Sequence, residues 1–468
     1  MKKYLIAIFG GFFLLALTLS AYADVKLQGE LRERGRYQKN RSLNSSVKTD
    51  DHAYYDTRIR LGVNANVAKN IKGFIEIQYD GENESWGTYT ESKLTTTDTL
   101  TVTTKSTTGT TLGTGSVTDS NYDVTAGDTA KATGLFGEGN RLQSRNFSGI
   151  RQAWILYTFD IGVPAGLKVG HQLLALSHNQ FFDHTKLGDG AVVFFMDPSK
   201  ATHIGLLTIK FDEGGTALGT DGDDVDGNVA LMTYKLNKTD TVGANLTWVR
   251  GSKGASVRLL GKETPLAGSK FNFYNVGLHG THKIGSVGLK WEGDMQSGKL
   301  GTSKFKGYGV WADASMPLGG VTLVLGGAMG SGPKSGSSNI DTFVTSLGGD
   351  PHYTWMYEFF VPSAAGATGT GIANTTYGKV GAKFAASKAV SINLEGYYLR
   401  ATKTSSGVSK ALGTEIDGQI TYKISDSLSY YIRGGFLAPG KFYEASTSGT
   451  GGKKDAAYGV DHAFVLKF

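Results

Sequence analysis

The chain has 468 residues, a formal net charge of +7 and no cysteine, so disulfide bonds and thiolate metal sites are excluded. Its basic residues are spread along the chain and do not form the dense patch of a nucleic-acid binder. With 66 glycines and only 8 prolines, glycine lies far above its usual share of about 7% and proline below about 5%. Abundant Thr, Ser, Tyr and Phe favour strands over helices.

The N-terminus has the three parts of a secretory signal peptide. Two lysines precede an apolar run over residues 4–19, and Ala21-Tyr22-Ala23 supplies a small-residue cleavage site. We therefore predict a signal peptide over residues 1–23 and a single exported domain over residues 24–468. An uncleaved anchor is the alternative, but the apolar run is short for a membrane-spanning helix.

Apolar and polar residues alternate with a period of two along the exported chain. Between residues 55 and 67, uncharged side chains share one face, whereas Asp56, Arg58 and Arg60 lie on the other. Segments of this length match strands that cross a bilayer at a tilt. The sequence therefore predicts an all-β fold, a transmembrane antiparallel β-barrel with one lipid-facing and one water-facing side. The same alternation recurs over residues 25–37, 286–295 and 414–424.

The connections between strands predict how many strands there are. Outer-membrane barrels place short turns on the periplasmic side and long loops outside. Seventeen strands are recognised directly, but short and long connections then fail to alternate between residues 174 and 202. A further strand over residues 190–196, with a turn at Pro198–Lys200, restores the alternation. We predict eighteen strands, with sixteen as the alternative.

The longest connection, residues 81–147, is predicted to be a low-complexity external loop. Its central part, residues 92–133, consists largely of Thr, Ser and Gly. Such a segment has too few apolar groups to offset the entropy lost on ordering. The alternative is that part of this loop folds into the lumen as a plug, as long barrel loops can.

The C-terminus resembles the assembly signal of outer-membrane proteins. Tyr458, Val460, Phe464, Leu466 and Phe468 alternate up to the last residue. We therefore predict two partners: outer-membrane lipid, and the assembly machinery, which would recognise Phe468. A monomer is favoured, with a trimer as the alternative. Aromatic residues near strand ends would form the interfacial girdle, namely Tyr54, Tyr79, Trp154, Phe159, Trp248, Trp291 and Tyr430.

No pattern in the sequence predicts a cofactor, a metal centre or a catalytic site. The loop Asp221–Asp226 is acidic, but Val225 stands where an EF-hand needs a ligand, so weak calcium binding is only the alternative. His178, Asp183 and His184 are interpreted as part of a polar external loop, with opportunistic metal binding as the alternative. No G-x-S-x-G motif occurs. We predict that the protein is not an enzyme.

The strongest cluster of candidate functional residues is basic. Arg32, Arg34 and Arg36 share one face of the first strand, and Arg58 and Arg60 share the same face of the second. Rings of arginine and lysine attract anions in pores. Paired with carboxylates, the same residues would instead form a ladder that stiffens the wall, and both interpretations stay open. Lys168 and Arg433 are expected to join the cluster, with Glu30, Asp56, Glu76, Glu415 and Asp417 as lumenal carboxylate partners.

Several segments resemble porins of the alginate-export family. They are Arg-Ile-Arg-Leu at 58–61, Arg-Gln-Ala-Trp at 151–154, Leu-Lys-Val-Gly at 167–170 and the stretch over residues 412–440. The resemblance implies a monomeric eighteen-stranded barrel and assigns lumenal roles to Arg58, Arg60, Arg151 and Lys168. Its named member exports an acidic polysaccharide. One departure is His171, where the family tends to have arginine, so specificity for a polymer is not carried over.

These features predict a passive, water-filled pore. Barrels of sixteen to eighteen strands enclose an aqueous lumen. Small hydrophilic or anionic solutes would diffuse through it, with anions preferred. The alternatives are a dedicated export channel for an alginate-like polysaccharide, and a surface adhesin, structural or electron-conduit scaffold. An outer-membrane enzyme is the least favoured alternative, and no nucleic-acid partner is expected.

Overall fold

A computed structural model describes the residues 24–46, 51–80, 100–105, 111–117, 149–213, 224–251, 256–259, 262–265, 269–347, 352–445 and 454–468. The predicted signal peptide and most of the predicted loop 81–147 lie outside these residues. The question of a plug formed by residues 81–147 therefore also lies outside them, apart from a hairpin of Leu100–Lys105 and Thr111–Val117.

Eighteen antiparallel strands close into one barrel. Each strand pairs with the next in chain order, and the last pairs with the first, for example through Arg34 and Ala463. The prediction of eighteen strands is confirmed, including the strand expected over residues 190–196. The strands are β1 Asp24–Lys39, β2 His52–Ala68, β3 Ile71–Asp80, β4 Ile150–Thr158, β5 Ala165–Gln172, β6 Asp189–Met196, β7 Thr202–Glu213, β8 Asp224–Lys235, β9 Thr241–Gly251, β10 Phe271–Ile284, β11 Val287–Leu300, β12 Tyr308–Leu318, β13 Val321–Gly330, β14 Thr375–Ala385, β15 Val390–Ala401, β16 Ala411–Lys423, β17 Leu428–Pro439 and β18 Ala457–Lys467.

The two faces of the barrel differ as the period of two predicts. Large apolar side chains such as Leu325 and Val380 are exposed on the outer face, where lipid would cover them. Carboxylates such as Asp56 and Asp461 are completely buried on the inner face. Because the sheet is closed, it has no edge strand with unpaired backbone N–H and C=O groups, for which hydrocarbon offers no hydrogen-bond partners.

Short turns lie at one end of the barrel. Two-residue connections join β2 to β3, β10 to β11 and β12 to β13. Gly285 and Gly319 have φ values of +63° and +61°, as tight hairpin turns require. In outer-membrane barrels the short turns are periplasmic, so we refer to this end as the periplasmic end and to the opposite one as the extracellular end.

Two long connections at the extracellular end fold into the barrel. We call them the first inner loop, residues 173–188 between β5 and β6, and the second inner loop, residues 331–374 between β13 and β14, of which 348–351 are not described. They meet where Phe182–Asp183 pairs with Ser346–Leu347. Together they narrow the lumen.

The interpretation of His178, Asp183 and His184 as part of a polar external loop is therefore wrong. Leu174, Leu176, Phe181 and Phe182 lie in the same connection and are buried. Phe181 stacks on Phe273 of the inner face of β10, with ring centroids 5.9 Å apart. Burial of this apolar surface draws the connection inward, because each buried aliphatic or aromatic side chain contributes about 1.5–3 kcal/mol.

Three smaller elements complete the described chain. A hairpin joins Ser256–Leu259 to Lys262–Pro265, a short 3-10 turn covers Lys441–Glu444, and the two-residue strand Ser303–Lys304 extends the sheet beside the end of β11. No helix among the described residues has the length and apolar character needed to cross a bilayer.

Candidate functional site: the lumen of the barrel

The predicted basic residues come together on one side of the lumen. They lie on β1, β2, β4, β5 and β17, within an arc in which β17, β18 and β1 to β5 follow one another around the barrel. We call this group the cationic wall. Its members are Arg32, Arg34, Arg36, Arg58, Arg60, Arg151, Lys168 and Arg433.

One part of the cationic wall is buried and braced by Asp56. Arg32 Nη2 lies 3.1 Å from Asp56 Oδ1, and Arg34 Nε donates to Asp56 Oδ2 at 2.9 Å. The side chain of Arg34 is 3% exposed and that of Asp56 is 0% exposed. Charged groups at this depth require partners with several hydrogen bonds. These two arginines therefore hold β1 against β2.

A second brace is Asp461, which the sequence analysis did not select. Arg433 binds it in a bidentate manner, with Nε to Oδ1 at 3.2 Å and Nη2 to Oδ2 at 2.6 Å. Arg36 Nη2 approaches the same carboxylate at 3.6 Å. The sequence does indicate that Asp461 faces inward, because it directly follows the outward-facing Val460 and successive strand residues point to opposite faces. From the sequence, only the apolar residues of this strand had been assigned to a face.

Other cations of the wall retain contact with the lumen. Arg58 pairs with Glu30, and the two side chains are 17% and 14% exposed. Arg60 Nε donates to the neutral Gln78 Oε1 at 2.7 Å, while its nearest carboxylate contact, Glu30, is 4.0 Å away. Arg433 is 28% exposed. Arg60 is thus the guanidinium whose charge is least compensated by its described neighbours.

Arg151 connects the wall to the first inner loop. Its Nη1 donates to Glu76 Oε2 at 2.6 Å. Its other nitrogens donate to the carbonyl oxygens of Lys186 at 2.9 Å and Thr185 at 2.6 Å. The side chain of Arg151 therefore links the barrel wall to the first inner loop.

Two aromatic residues predicted for the outer girdle face the lumen instead. The Lys168 ammonium lies 4.2 Å from the centroid of the Trp154 ring, a cation–π geometry. Tyr54 accepts a hydrogen bond from Arg36 Nη1 at 3.1 Å. Tyr54 and Asp56 are two residues apart on β2, so the period of two places both side chains in the lumen. The position of Tyr54 near a strand end had suggested the outer girdle instead.

Glu415 and Asp417 face the lumen but hold the second inner loop. Glu415 accepts the backbone N–H groups of Met356 at 2.6 Å and Tyr357 at 2.9 Å. Asp417 accepts the backbone N–H of Trp355 at 3.0 Å. These two carboxylates therefore bind backbone groups, in contrast to Glu30, Asp56 and Glu76, which bind arginines.

On β11, one member of a second acidic pair has the same role for the first inner loop. Glu292 accepts the backbone N–H of His178 at 2.5 Å, and Asp294 accepts Asn275 Nδ2 at 2.7 Å. Both carboxylates are buried. The second inner loop is thus anchored by Glu415 and Asp417 and the first by Glu292, while Asp294, at i+2 from Glu292 and on the same face, binds the neighbouring strand β10.

A charged contact joins the two inner loops. His352 Nδ1 lies 2.9 Å from Glu358 Oε1, and its Nε2 lies 3.4 Å from Asp183 Oδ2. Burial alone would lower the pKa of His352, but the charges of Glu358 and Asp183 and their hydrogen bonds raise the pKa to about 10. Burial would raise the pKa of Asp183, yet hydrogen bonds from His352 and Thr185 lower it to about 2.

As the pH rises from neutral, the contact between the loops should weaken once His352 loses its proton. Because the pKa of His352 is raised, its stabilisation is complete below the ordinary value of 6.5 and is lost as the pH rises through about 10. Hydrogen exchange of the second inner loop should therefore accelerate above about pH 10, after correction for intrinsic exchange. His352→Asn should remove this pH-dependent step. Equal profiles for wild type and variant would contradict the assignment.

The candidate metal ligands have other contacts. His184 lies 2.7 Å from Asp189 and 2.8 Å from Ser346, and Asp224 and Asp226 pair with Lys210. Asp221 and Asp223 lie outside the described residues. Within the part of the chain that the structure covers, no group of three His, Cys, Asp or Glu side chains is arranged to hold a metal ion.

The structure defines a closed eighteen-stranded antiparallel barrel with inward-folded loops and an arginine-lined lumen. Crystal structures of several Pseudomonas aeruginosa proteins are similar to it over most of their length. OpdO has a TM-score of 0.54 with 10% identity, covering 95% of this chain and 96% of the other. The outer-membrane protein OpdK has a TM-score of 0.53 with 8% identity, and OccK5 has 0.52 with 10%, each covering 95% of this chain and 98% of the other.

At such low identity these similarities establish the fold alone. No protein-family model and no curated protein sequence matches the chain. The resemblance to alginate-export porins therefore stays a prediction.

Proposed function

We propose that the protein is an outer-membrane channel for passive diffusion of small hydrophilic solutes and that it prefers anions. The observation that supports this proposal is the charge of the cationic wall. Its eight basic side chains have four carboxylates, Glu30, Asp56, Glu76 and Asp461, as their ion-pair partners among the described residues. An excess of fixed positive charge along a narrow, water-filled passage with low-dielectric walls raises the local concentration of anions.

Within the wall, the roles proposed for the arginines differ. Arg32, Arg34 and Arg36 are buried and act as braces. Arg58, Arg60 and Arg433 keep part of their guanidinium surface in the lumen, so they are the groups that a passing anion would meet. A guanidinium offers parallel N–H donors that fit a carboxylate. Carboxylate-bearing solutes are therefore the favoured class.

The inner loops support small solutes over a polymer. They cross the lumen and meet one another, so a polysaccharide chain would have to pass a constriction that is anchored on β11, β16 and β4. OpdK, a barrel of similar fold, has been crystallised with vanillate, a small aromatic carboxylate. The acidic-polysaccharide channel is therefore the less favoured candidate.

The chain's C-terminus is compatible with the proposed insertion by the assembly machinery. Phe468 exchanges two backbone hydrogen bonds with Gly29, at 2.7 and 3.1 Å, which completes the seam between the ends of the barrel. Its ring is 61% exposed at the periplasmic end. A monomer is proposed, because a closed barrel leaves no strand edge for a partner.

Planar-bilayer recording of the full exported chain tests the proposal. Under a potassium chloride gradient, we expect single-channel steps and a reversal potential that corresponds to chloride preference. Oligouronates should not block the current at concentrations that also leave the current through a nonspecific porin unchanged. Absence of conductance from correctly folded protein would favour the scaffold alternative, and block by low concentrations of oligouronate would favour the polysaccharide channel.

A further inference from the structure

Outward-facing side chains at the extracellular end form a continuous polar row across β7 to β11. Strand pairing places them side by side, and the spacing between neighbouring strands is about 4.8 Å. Arg250 and Lys304 are therefore separated by roughly 15 Å along the barrel surface. We call this group the rim row. In order around the barrel it consists of Lys210, Asp226, Arg250, Asn272, Lys299 and Lys304.

The rim row carries surplus positive charge. Lys210 Nζ lies 2.8 Å from Asp224 and 2.9 Å from Asp226, and Arg250 lies 3.1 Å from Asp226. Asp224 and Asp226 are therefore already paired with basic side chains. Lys299 and Lys304 are exposed, and neither forms an ion pair with a carboxylate that the structure describes.

The rim row lies at the depth of lipid head groups. One outward position closer to the membrane centre on each strand, Trp248 and Tyr274 stack with ring centroids 6.3 Å apart and planes 7° apart. Tyr308 lies nearby on the same face and is exposed. Aromatic girdles mark the boundary between hydrocarbon and head groups. The lysines just above them are thus placed where lipid phosphates lie.

A groove on the outer face lies directly below the Lys210 and Arg250 end of the rim row. Its volume is about 440 Å³. It exists because Ala230 stands between the larger Leu206 and Leu246 on adjacent strands. Apart from these three residues, its apolar lining consists of Val192, Phe194, Leu207, Val229 and Trp248.

The upper end of the groove is polar. Thr208 Oγ1 and Asn228 Oδ1 lie 3.2 Å apart on the outer face. An amide at a lipid-facing position is costly unless its remaining donors and acceptors find partners. A hydroxyl or amide near the head of an acyl chain would provide such partners.

We propose that this sector binds a phosphorylated, acylated lipid of the extracellular leaflet. The phosphates contact Arg250, Lys299 and Lys304, and one acyl chain occupies the groove beneath. Clusters of lysine and arginine at the membrane surface recognise anionic head groups in this way. The groove distinguishes a lipid from a free phosphate, because only a lipid fills both parts.

Native mass spectrometry of the detergent-purified barrel with added diphosphorylated lipid A tests the site. We expect discrete binding that weakens at least tenfold when both phosphates are removed from the lipid. The triple variant Arg250→Gln, Lys299→Gln, Lys304→Gln should show a similar loss. Ala230→Phe, which fills the groove without changing charge, should also weaken binding. The matched control, Lys39→Gln, Arg400→Gln, Lys410→Gln, removes three charges from another sector of the rim and should bind as wild type does.

Unchanged conductance of the triple variant would verify its folding, since the rim row lies outside the lumen. Three results would overturn the proposal: wild-type binding by the triple variant, equal binding of the dephosphorylated lipid, and an equal loss in the control variant. Inorganic phosphate that competes as strongly as the lipid would also overturn it. None of these outcomes bears on the proposed anion preference, which bilayer recording tests separately.

Discussion

Replacing Arg58 and Arg60 together with glutamate should lower the anion-to-cation permeability ratio by roughly thirtyfold. A monovalent ion about 7 Å from one unit charge interacts by about 0.6 kcal/mol in water. The double substitution changes the local charge by four units, so the effect is about 2 kcal/mol before screening. Salt at 0.1 M, with a Debye length of about 10 Å, reduces it to about 1 kcal/mol for each ion. Anion and cation shift in opposite directions, so the ratio changes by the sum.

The measurement is the reversal potential under a salt gradient, repeated at two salt concentrations. Because screening grows with salt, the difference between variant and wild type should shrink at the higher concentration. The matched control is Lys299→Glu with Lys304→Glu, which changes the charge equally but on the outer face of the barrel. An unchanged reversal potential in the lumenal variant would mean that the selective residues lie elsewhere.

The neutral variant Arg60→Gln gives a finer test of the wall. Arg60 donates to the neutral Gln78, so replacing Arg60 leaves no close carboxylate without an ion-pair partner. Selectivity should fall in the same direction as in the double variant but less, with little loss of stability. Arg34→Gln would instead leave the buried Asp56 with a weaker partner set, and we expect that variant to assemble poorly because uncompensated buried charge is costly.

The barrel could be predicted from the sequence because its rules are local. The period of two assigns each side chain to a face, and it places Arg32, Arg34 and Arg36 in the lumen. Parity of the connections then required a strand over residues 190–196, which is present as β6. Because β1 and β2 are consecutive strands, their arginines were expected to be neighbours, but the twelve-residue connection between them does not fix the register that brings Arg58 to Glu30.

The inner loops could not be predicted because their partners are distant in sequence. Glu415 was correctly assigned to the lumen, but nothing local indicates that its carboxylate binds Met356, 59 residues away. The loops follow no helical or strand period, so burial of Phe181 or Phe343 leaves no periodic signal. Clusters such as Leu-Leu-Ala-Leu at residues 173–176 were the available hint, because exposed apolar runs are unusual in an external loop.

Removing the carboxylates of Glu415 and Asp417 should widen the channel. In the double alanine variant, the backbone N–H groups of Trp355, Met356 and Tyr357 lose their acceptors. Each buried donor left without a partner costs about 1–3 kcal/mol. We expect the second inner loop to leave the wall, which would raise single-channel conductance several-fold and add slow current fluctuations.

Limited proteolysis separates release of the loop from a general loss of stability. In the Glu415→Ala, Asp417→Ala variant, new cleavage should map to residues 352–374, while the strands stay protected and the barrel still migrates as a folded species. Glu415→Gln keeps one acceptor oxygen in place, so its conductance should lie between those of wild type and the double variant. Asp240→Ala with Asp426→Ala removes a half-buried and an exposed carboxylate from periplasmic turns and should change neither property. Conductance and proteolysis that both match wild type would show that the loop is held mainly by its apolar contacts, with Trp355 and Phe360 already buried, rather than by the acidic pair.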